Sequence, residues 1–573
     1  MAETATKPSC APGGVKIEMR GVMGDRRHLG GWPNLVAVAD LAIRHMNEIC
    51  DANHSHLAYV GGDLSHRTPS FVRCHWDWVE APSYALLGRI GARRLTGSRE
   101  GEQVEIGQRR LTLASFHDLD GFSHRMYAKG WSEDTKVIIW EEARALYTLM
   151  AWFTESPDDR LLAYVRGMLE ALMGASRKEG RNRLLNPPFD KEDVFGGVAQ
   201  IVLVEPLMKY YETTGDPDAL EFCEGTVRWA VDRAPDSMDG AYRFSSSFRG
   251  LAAALASIAR FAAYTNDERL LDHAESMFRS GMTLTTDYGA TPDTEPCCTN
   301  MELTTAALAL TTAGRGDWWD MIDRHFRNQT IECQFTDTAA VNPGHIKGEP
   351  GPWDDTRDIL NRSVGGFTWA SARERLYKGP RLMLCCVGNA MWTLGKIVEN
   401  AVTEDERGLS INLHFSLDTS AARISNHEPF QGRLDVIVRR NGRVRIRRPS
   451  YATKIETEVN GSPAVPKEDG AYLVFDDVPD GCTIVLTYPM AERTTEEVTK
   501  ETPSRTFGAR SVPVVKERVQ TTWRGNTVLA VDYDSDSPHP EHRLYLHRME
   551  RYRNGEGKDD KVRFFLPERE YVW

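Results

Sequence analysis

The chain has 573 residues, 41% of them hydrophobic, which is more than one compact core uses, so two or three domains are expected. Its formal net charge is −12, and basic residues are scattered apart from "RRNGRVRIRR" at 439 to 448, which argues against nucleic acid or an anionic membrane surface as partner. No stretch reaches the roughly 18 apolar residues of a membrane span, the start "MAETATKPSCAPGGVKIEMRG" has no apolar segment behind a basic one, and ten cysteines in so long a chain are not a disulfide scaffold; a cytoplasmic protein with reduced thiols is expected.

A less clear helical hairpin is predicted around 35 to 95, then a helix around 136 to 153. Beyond it one unit recurs: an apolar-striped helix, a short turn rich in Asp, Gly, Pro or Asn, and a second helix. The copies read "LYTLMAWFTESPDDRLLAYVRGML", "LMKYYETTGDPDALEFCEGTVRWA", "IARFAAYTNDERLLDHAESMF" and "ALALTTAGRGDWWDMIDRHF". Aligning Leu161, Leu220, Leu270 and Trp319 gives spacings of 59, 50 and 49 residues (220 − 161, 270 − 220, 319 − 270). Neither helix of such a hairpin buries its apolar face alone, so successive hairpins must stack, into an open solenoid or a closed ring of roughly five or six units. The loops between hairpins carry many Trp, His and carboxylate residues, which favours a toroid with a site over a protein-binding solenoid.

From about residue 405 the period changes to two. "GLSINLHFSL", "GRLDVIVRRN", "GRVRIRRP", "KIETEVNGSPA", "GAYLVFDDV", "CTIVLTYPM" and "NTVLAVDY" alternate apolar and polar residues between Gly, Pro and Asn turns, as short antiparallel strands do. The Asn-Gly of "VNGSPA" signals a tight hairpin. The basic run reads as a strand with one solvated arginine face. The predicted fold class is therefore multidomain, α then β: an α/α toroid over 1–404 and an antiparallel β-sandwich region over 405–573.

Two cysteine doublets stand out, in "TEPCCTNME" at 294 to 302 and "LMLCCVGNA" at 382 to 390. Adjacent Cα atoms lie about 3.8 Å apart, below the usual disulfide minimum of about 4.4 Å, so a bridge within either doublet would be strained. Burial as inert thiols accounts well for Cys50, Cys223, Cys333 and Cys482, and less well for two doublets beside a glutamate. A zinc ion takes four ligands from thiolate, imidazole and carboxylate, and Glu295, Cys297, Cys385 and Cys386 would supply them across 88 residues (385 − 297). Without a Cys-x-x-Cys pair, spacing alone leaves buried thiols and a metal site both open.

At these residues the sequence resembles glycoside hydrolase family 127, the zinc-dependent β-L-arabinofuranosidases, as a divergent member. "TEPC" at 294 to 297 and "CCVGN" at 385 to 389 match the family's Glu-x-Cys and later Cys-Cys segments, and "HWDWVEAPSYALL", "RIRRPSYATKIETEVNGSPA", "GAYLVFDDVPDGCTIVLTYPM" and "TTWRGNTVLAVDY" extend the likeness over most of the chain. The resemblance implies an (α/α)6 catalytic domain followed by β-sandwich domains, and a retaining hydrolase of terminal sugars with an oligosaccharide or glycoside as its partner; the oligomeric state stays open, a homodimer included. It also implies that Cys385 is a zinc-bound nucleophile, that Glu295, Cys297 and Cys386 complete the metal shell, and that Cys298 has no assigned role.

Retaining glycoside hydrolysis needs a carboxylic acid to protonate the leaving oxygen. Here the sequence departs from the family: Met282, not Glu, follows Gly281, and no Glu lies between Glu275 and Glu295. Asp287 is the expected substitute, ahead of Asp293, Glu141, Glu142 and Glu80. Trp76, Trp78, Trp131 and Trp369 are candidate sugar-binding walls, and His75, His117, His124 and His345 are loop histidines without a spacing that forces a role. Two other readings compete with the hydrolase: a uronate-processing α/α-toroid hydrolase or lyase with structural zinc, and a non-catalytic carbohydrate-binding relative.

Overall fold

The structure is a computed structural model that describes residues 32–118, 120–126, 137–186, 199–233, 248–291, 295–336, 338, 341, 344, 348–369, 381–498, 503–506, 510–513 and 518–533. Its helical part is built from α1 (Leu35–Glu48), α2 (Glu80–Thr96), α3 (Glu102–Ala114), α4 (Ile139–Glu155), α5 (Asp159–Gly174), α6 (Val204–Thr214), α7 (Pro217–Arg233), α8 (Phe248–Thr265), α9 (Glu268–Met282), α10 (Pro296–Thr312), α11 (Trp319–His325) and α12 (Leu384–Ala401). The repeated sequence unit corresponds to the hairpins α4–α5, α6–α7, α8–α9 and α10–α11. Its turn residues have definite work: Asp158 and Asp267 cap α5 and α9 by accepting from backbone amides, and Gly215 ends α6 in the left-handed conformation (φ 74°). The stretch from 35 to 95 is not a simple hairpin: α1 and α2 are joined by short strands, and α2 turns back into α3 instead.

The even-numbered helices close a circle. In it α2 packs on α4, α4 on α6, α6 on α8, α8 on α10, α10 on α12, and α12 back on α2. The odd-numbered helices lie outside, with α1 against α2 and α12. The ring is therefore an (α/α)6 toroid. Because every inner helix runs in the same direction, their first turns share one mouth. The connections at the other end are short, such as Ser156–Asp158 and Asn266–Asp267.

Closure depends on very close packing of α2 on α12. A Cβ on Gly91 would lie 2.1 Å from the carbonyl oxygen of Met391, and one on Gly388 would lie 2.6 Å from that of Tyr84. A Cβ added to Gly395 or Gly88 would lie 3.0 Å from the Cα atoms of Gly91 and Gly388 respectively. A small sheet locks the entrance to this seam: Gly61–Asp63 pairs with Ser70–Val72 and with Arg381–Met383, and Leu384 N–H donates to the Val60 carbonyl at 2.8 Å.

Helix α12 runs directly into Val402–Asp405, the first strand of a five-stranded sheet whose order continues 408–411, 442–447, 472–478 and 467–469. A six-stranded sheet, ordered 417–418, 422–426, 433–438, 483–487, 456–459 and 462–463, shares an apolar core with it that includes Ile424, Val436, Ile446, Ile484 and Leu486. Asn460 and Gly461 both have positive φ (51° and 77°), as the predicted Asn-Gly hairpin requires. A third sheet, 492–498, 518–524 and 527–533, folds back so that Trp523, Val528 and Leu529 enter the core of the ring.

The basic run differs from expectation. Within the strand Gly442–Arg447, Arg445 and Arg447 are buried, not solvated. Arg445 bonds Asp469 at 2.9 Å and lies over the Tyr472 ring, while Arg447 reaches across to Asp317 and Asp320 (2.8 Å) at the start of α11. At Arg447 an arginine suits the position because its planar fork reaches two carboxylates at once. Among the described residues no helix is long and apolar enough to cross a membrane.

The seam predicts a sharp asymmetry between glycines. Gly91→Ala should destabilise the protein by at least about 2 kcal/mol, since a backbone carbonyl cannot move aside. Gly167→Ala, in α5 with nothing within 4 Å of its added Cβ, should stabilise by about 0.5 kcal/mol; thermal unfolding of the two variants beside the parent checks both.

Candidate active site

The site is assembled from the first turns of the inner helices. Glu80 and Tyr84 come from α2, Trp140 and Arg144 from α4, Arg249 from α8, Glu295 and Cys298 from the start of α10, and Cys385 and Cys386 from the start of α12. Helix N-termini carry partial positive charge and unfilled N–H groups, so this mouth favours anions and thiolates.

Glu295 is the N-cap residue of α10 and adopts a left-handed backbone (φ 65°), with Pro296 opening the helix. A non-glycine residue in that region is strained unless its surroundings hold it, and here they do. Its N–H donates to the Trp369 carbonyl at 2.6 Å; its carboxylate accepts from Trp369 Nε1 at 3.2 Å and from Arg249 at 2.8 Å. Burial pushes this carboxyl up to about 7, against the opposing charge of Arg249 and with the neighbouring Cys298 raising it further.

The thiols of Cys298, Cys385 and Cys386 lie within 4.8 Å of one another and are buried. Cys385 Sγ and Cys386 Sγ are 3.9 Å apart. Burial disfavours ionisation of all three, but Cys385 and Cys386 donate hydrogen bonds to Cys298 and Arg249 lies close by, so the Cys298 thiol is held well below its ordinary value while its two donors are raised. Within the trio, Cys298 is the thiol most favoured to give up its proton. Asn389, one turn beyond Cys385, flanks the same sulfur.

This grouping departs from the expected ligand set. The Cys297 thiol is not in the trio; it points to the Thr330 carbonyl at 3.9 Å and lies beside Cys333. Helix geometry gives the reason. With Pro296 in the first helical position, Cys298 stands three residues beyond Glu295 and shares its face, whereas Cys297 is rotated by about 100° toward the outer layer. The proline was the signal in the sequence that locates the helix start and selects Cys298.

The expected proton donor also falls elsewhere. Asp287 is exposed, its N–H donates to Glu497 at 2.9 Å, and its charged neighbours are Glu497 and Arg493 in the third sheet. Glu141 is committed to Arg125, and Glu142 accepts from Ser123 N–H and hydroxyl at 2.9 and 2.7 Å. Glu80 is different: it keeps partial solvent contact, takes a 3.3 Å hydrogen bond from Trp140 Nε1, and is pushed up to about 8 by burial and then by the nearby Glu141 and Glu295 carboxylates. It is an acid that stays protonated at neutral pH.

Trp369 lies at the mouth beside Glu295, and Trp76 is half-buried beneath Arg125; Trp78 is core. His75 stacks on Trp76, and His124 bonds Asp120 next to His117. Asp293, Trp131 and His345 lie outside the described residues. Arg249 was missed in the sequence; its signal is a charge opening the otherwise apolar run "FRGLAAALASIA", where it is buried over Trp140.

Among known structures, a protein described as a glycoside hydrolase has 13% identity and a TM-score of 0.56, with 90% of this chain and 83% of that chain covered. A GH127 β-arabinofuranosidase has 10% identity and a TM-score of 0.54, with 86% and 81% covered. The chain has the fold of these hydrolases. No family model and no curated protein matches its sequence.

Of the three clustered cysteines only Cys385 retains exposure (6%, against 0% for Cys298 and Cys386). In metal-free protein a small alkylating reagent should therefore label Cys385 well before the other two, as read by peptide mass mapping over a time course.

Proposed function

We propose that the protein is a retaining glycoside hydrolase of the β-L-arabinofuranosidase type, with Cys385 as nucleophile, Glu80 as proton donor, and a zinc ion held by Glu295, Cys298, Cys385 and Cys386. The observation that carries this reading is the convergence of three buried thiols beside a strained, buried glutamate at the mouth of an (α/α)6 ring. The fold it shares with a GH127 β-arabinofuranosidase supports it.

The donor set suits zinc. In a tetrahedral site with Zn–S bonds of about 2.3 Å, sulfurs lie about 3.8 Å apart, close to the 3.9 Å between Cys385 and Cys386. Three thiolates and one carboxylate select a soft divalent ion over calcium or magnesium. Bound zinc would keep the thiols deprotonated at neutral pH.

The residues divide the work in this reading. Cys385, the one clustered cysteine residue with any exposure, attacks the anomeric carbon and forms the glycosyl thioether. Glu80 gives its proton to the departing oxygen, then removes one from the water that releases the sugar. Trp140 fixes the Glu80 carboxyl from one side, and Arg249 holds Glu295 in its ligating orientation. Terminal sugars of oligosaccharides are the substrates in this reading, supported by the fold shared with a GH127 β-arabinofuranosidase.

Three measurements test this. Cys385→Ala should abolish turnover of aryl furanosides in a folded protein; retained activity would overturn the nucleophile. Cys298→Ser should lower bound zinc at least tenfold by metal analysis while Cys297→Ser keeps it, and the opposite order would return Cys297 to the ligand set. Turnover should decline as pH rises through about 8, the value of Glu80, because the acid form is lost there; Glu80→Gln should remove that limb and slow substrates with poor leaving groups by roughly 10²- to 10⁴-fold.

A further inference from the structure

Several buried polar atoms of the mouth have no hydrogen-bond partner among the described residues, the Tyr84 hydroxyl, the Asn389 amide and Arg144 Nε among them, and Tyr84 is the one on the helix that carries Glu80. Glu80 is bonded by Trp140, Glu295 by Arg249 and Trp369, and Glu141 by Arg125. Tyr84 is 1% exposed, yet its hydroxyl has no hydrogen-bond partner among the described residues.

Its position is specific. Tyr84 follows Glu80 by one helical turn, so both project from the same face of α2. Across the seam its backbone touches Gly388, which follows Cys385 by nearly one turn of α12. Arg144 lies 5.9 Å from its ring, and its ionisable neighbours include Glu80, Arg249 and Cys385. Tyr84 therefore stands on the helix face that carries the acid, at the seam with the first turn of the helix that carries the nucleophile, the two groups that must flank the anomeric carbon of any sugar undergoing reaction.

A phenol offers one donor and accepting lone pairs, and leaving it buried and unpaired is unfavourable. A ligand with a polar atom at that point relieves the penalty. Resting on the hydrolase reading above, we propose that Tyr84 is a specificity-determining residue that hydrogen-bonds the sugar hydroxyl on the carbon next to the anomeric centre. The site then selects sugars bearing that hydroxyl and rejects 2-deoxy sugars, because a deoxy ligand fills the space and leaves the phenol unpaired.

The test compares the zinc-loaded parent and Tyr84→Phe on two aryl furanosides differing only in the 2-hydroxyl. The variant should lose roughly 10- to 100-fold in kcat/KM on the hydroxylated substrate and less than about threefold on the 2-deoxy one, with zinc content and thermal midpoint unchanged. Equal losses on both substrates, or none on either, would overturn the assignment while leaving the hydrolase intact. If the parent turns over neither substrate, the hydrolase reading fails and this one with it. Should Tyr84→Phe not fold, calorimetry of parent protein with non-hydrolysed thioglycosides decides: at least tenfold weaker binding of the 2-deoxy analogue supports the proposal, and equal binding removes it.

Discussion

The contact on which the molecule depends is the backbone-to-backbone approach of α2 and α12. Helices with ordinary side chains pack with axes 8 to 10 Å apart; here four glycines remove the Cβ atoms that would hold them off. The seam does two things at once. It joins the last inner helix to the first and so turns a stack of hairpins into a ring, and it brings the first turn carrying Cys385 and Cys386 against the first turn carrying Glu80. A wider crossing would still give a helical protein, but acid and thiol would no longer face a common space.

Placing a polar cluster at that point is costly, since buried charges are tolerated only when paired. The mouth meets the requirement through a few buried arginines. Arg125 takes Glu141 bidentately, Arg249 takes Glu295, and Arg144 is enclosed by the rings of Trp140, Tyr84 and Tyr147 with Glu302 3.9 Å away. Carboxylates without a close cation respond by holding their protons, and Glu80 is the one among them that also reaches solvent. The same scarcity of charge explains why one of three adjacent thiols, Cys298, is favoured as the anion.

Much of the architecture was legible because it is written in periodicities. The 3.6-residue stripe, the Asp and Gly turn signals and the near-constant spacing between hairpins specify an α/α repeat, and the switch to period two near residue 405 marks the sheets. What stayed hidden was rotation and partnership. A Glu-x-Cys spacing puts Cys297 beside Glu295 on paper, but the helix that Pro296 starts turns that thiol outward and brings Cys298 in. Likewise Asp287 is near Glu295 in sequence, yet α9 ends and the chain swings to the third sheet before α10 begins, so Glu80, more than two hundred residues away, is the carboxyl that arrives. Arg445 and Arg447 looked solvated because alternation says which face a residue occupies, not what covers that face.

The doublet at 297 and 298 gains a physical account from the layers on either side of it. Cys298 looks into the ring, while Cys297 packs outward on Thr330, in the π-turn Phe326–Thr330 that extends α11. That turn is gripped from behind: Asn328 donates to the Asn526 carbonyl at 2.8 Å and accepts from Val528 N–H at 2.9 Å, Asn526 bonds Asp323, and Arg447 holds Asp320. The third sheet and the basic strand therefore brace α11, α11 braces the outer thiol, and the outer thiol fixes the rotation of the helix that presents the inner one. A β region that looks like an appendage in the sequence is thereby connected, through one pair of cysteines, to the placement of the Cys298 sulfur in the cluster.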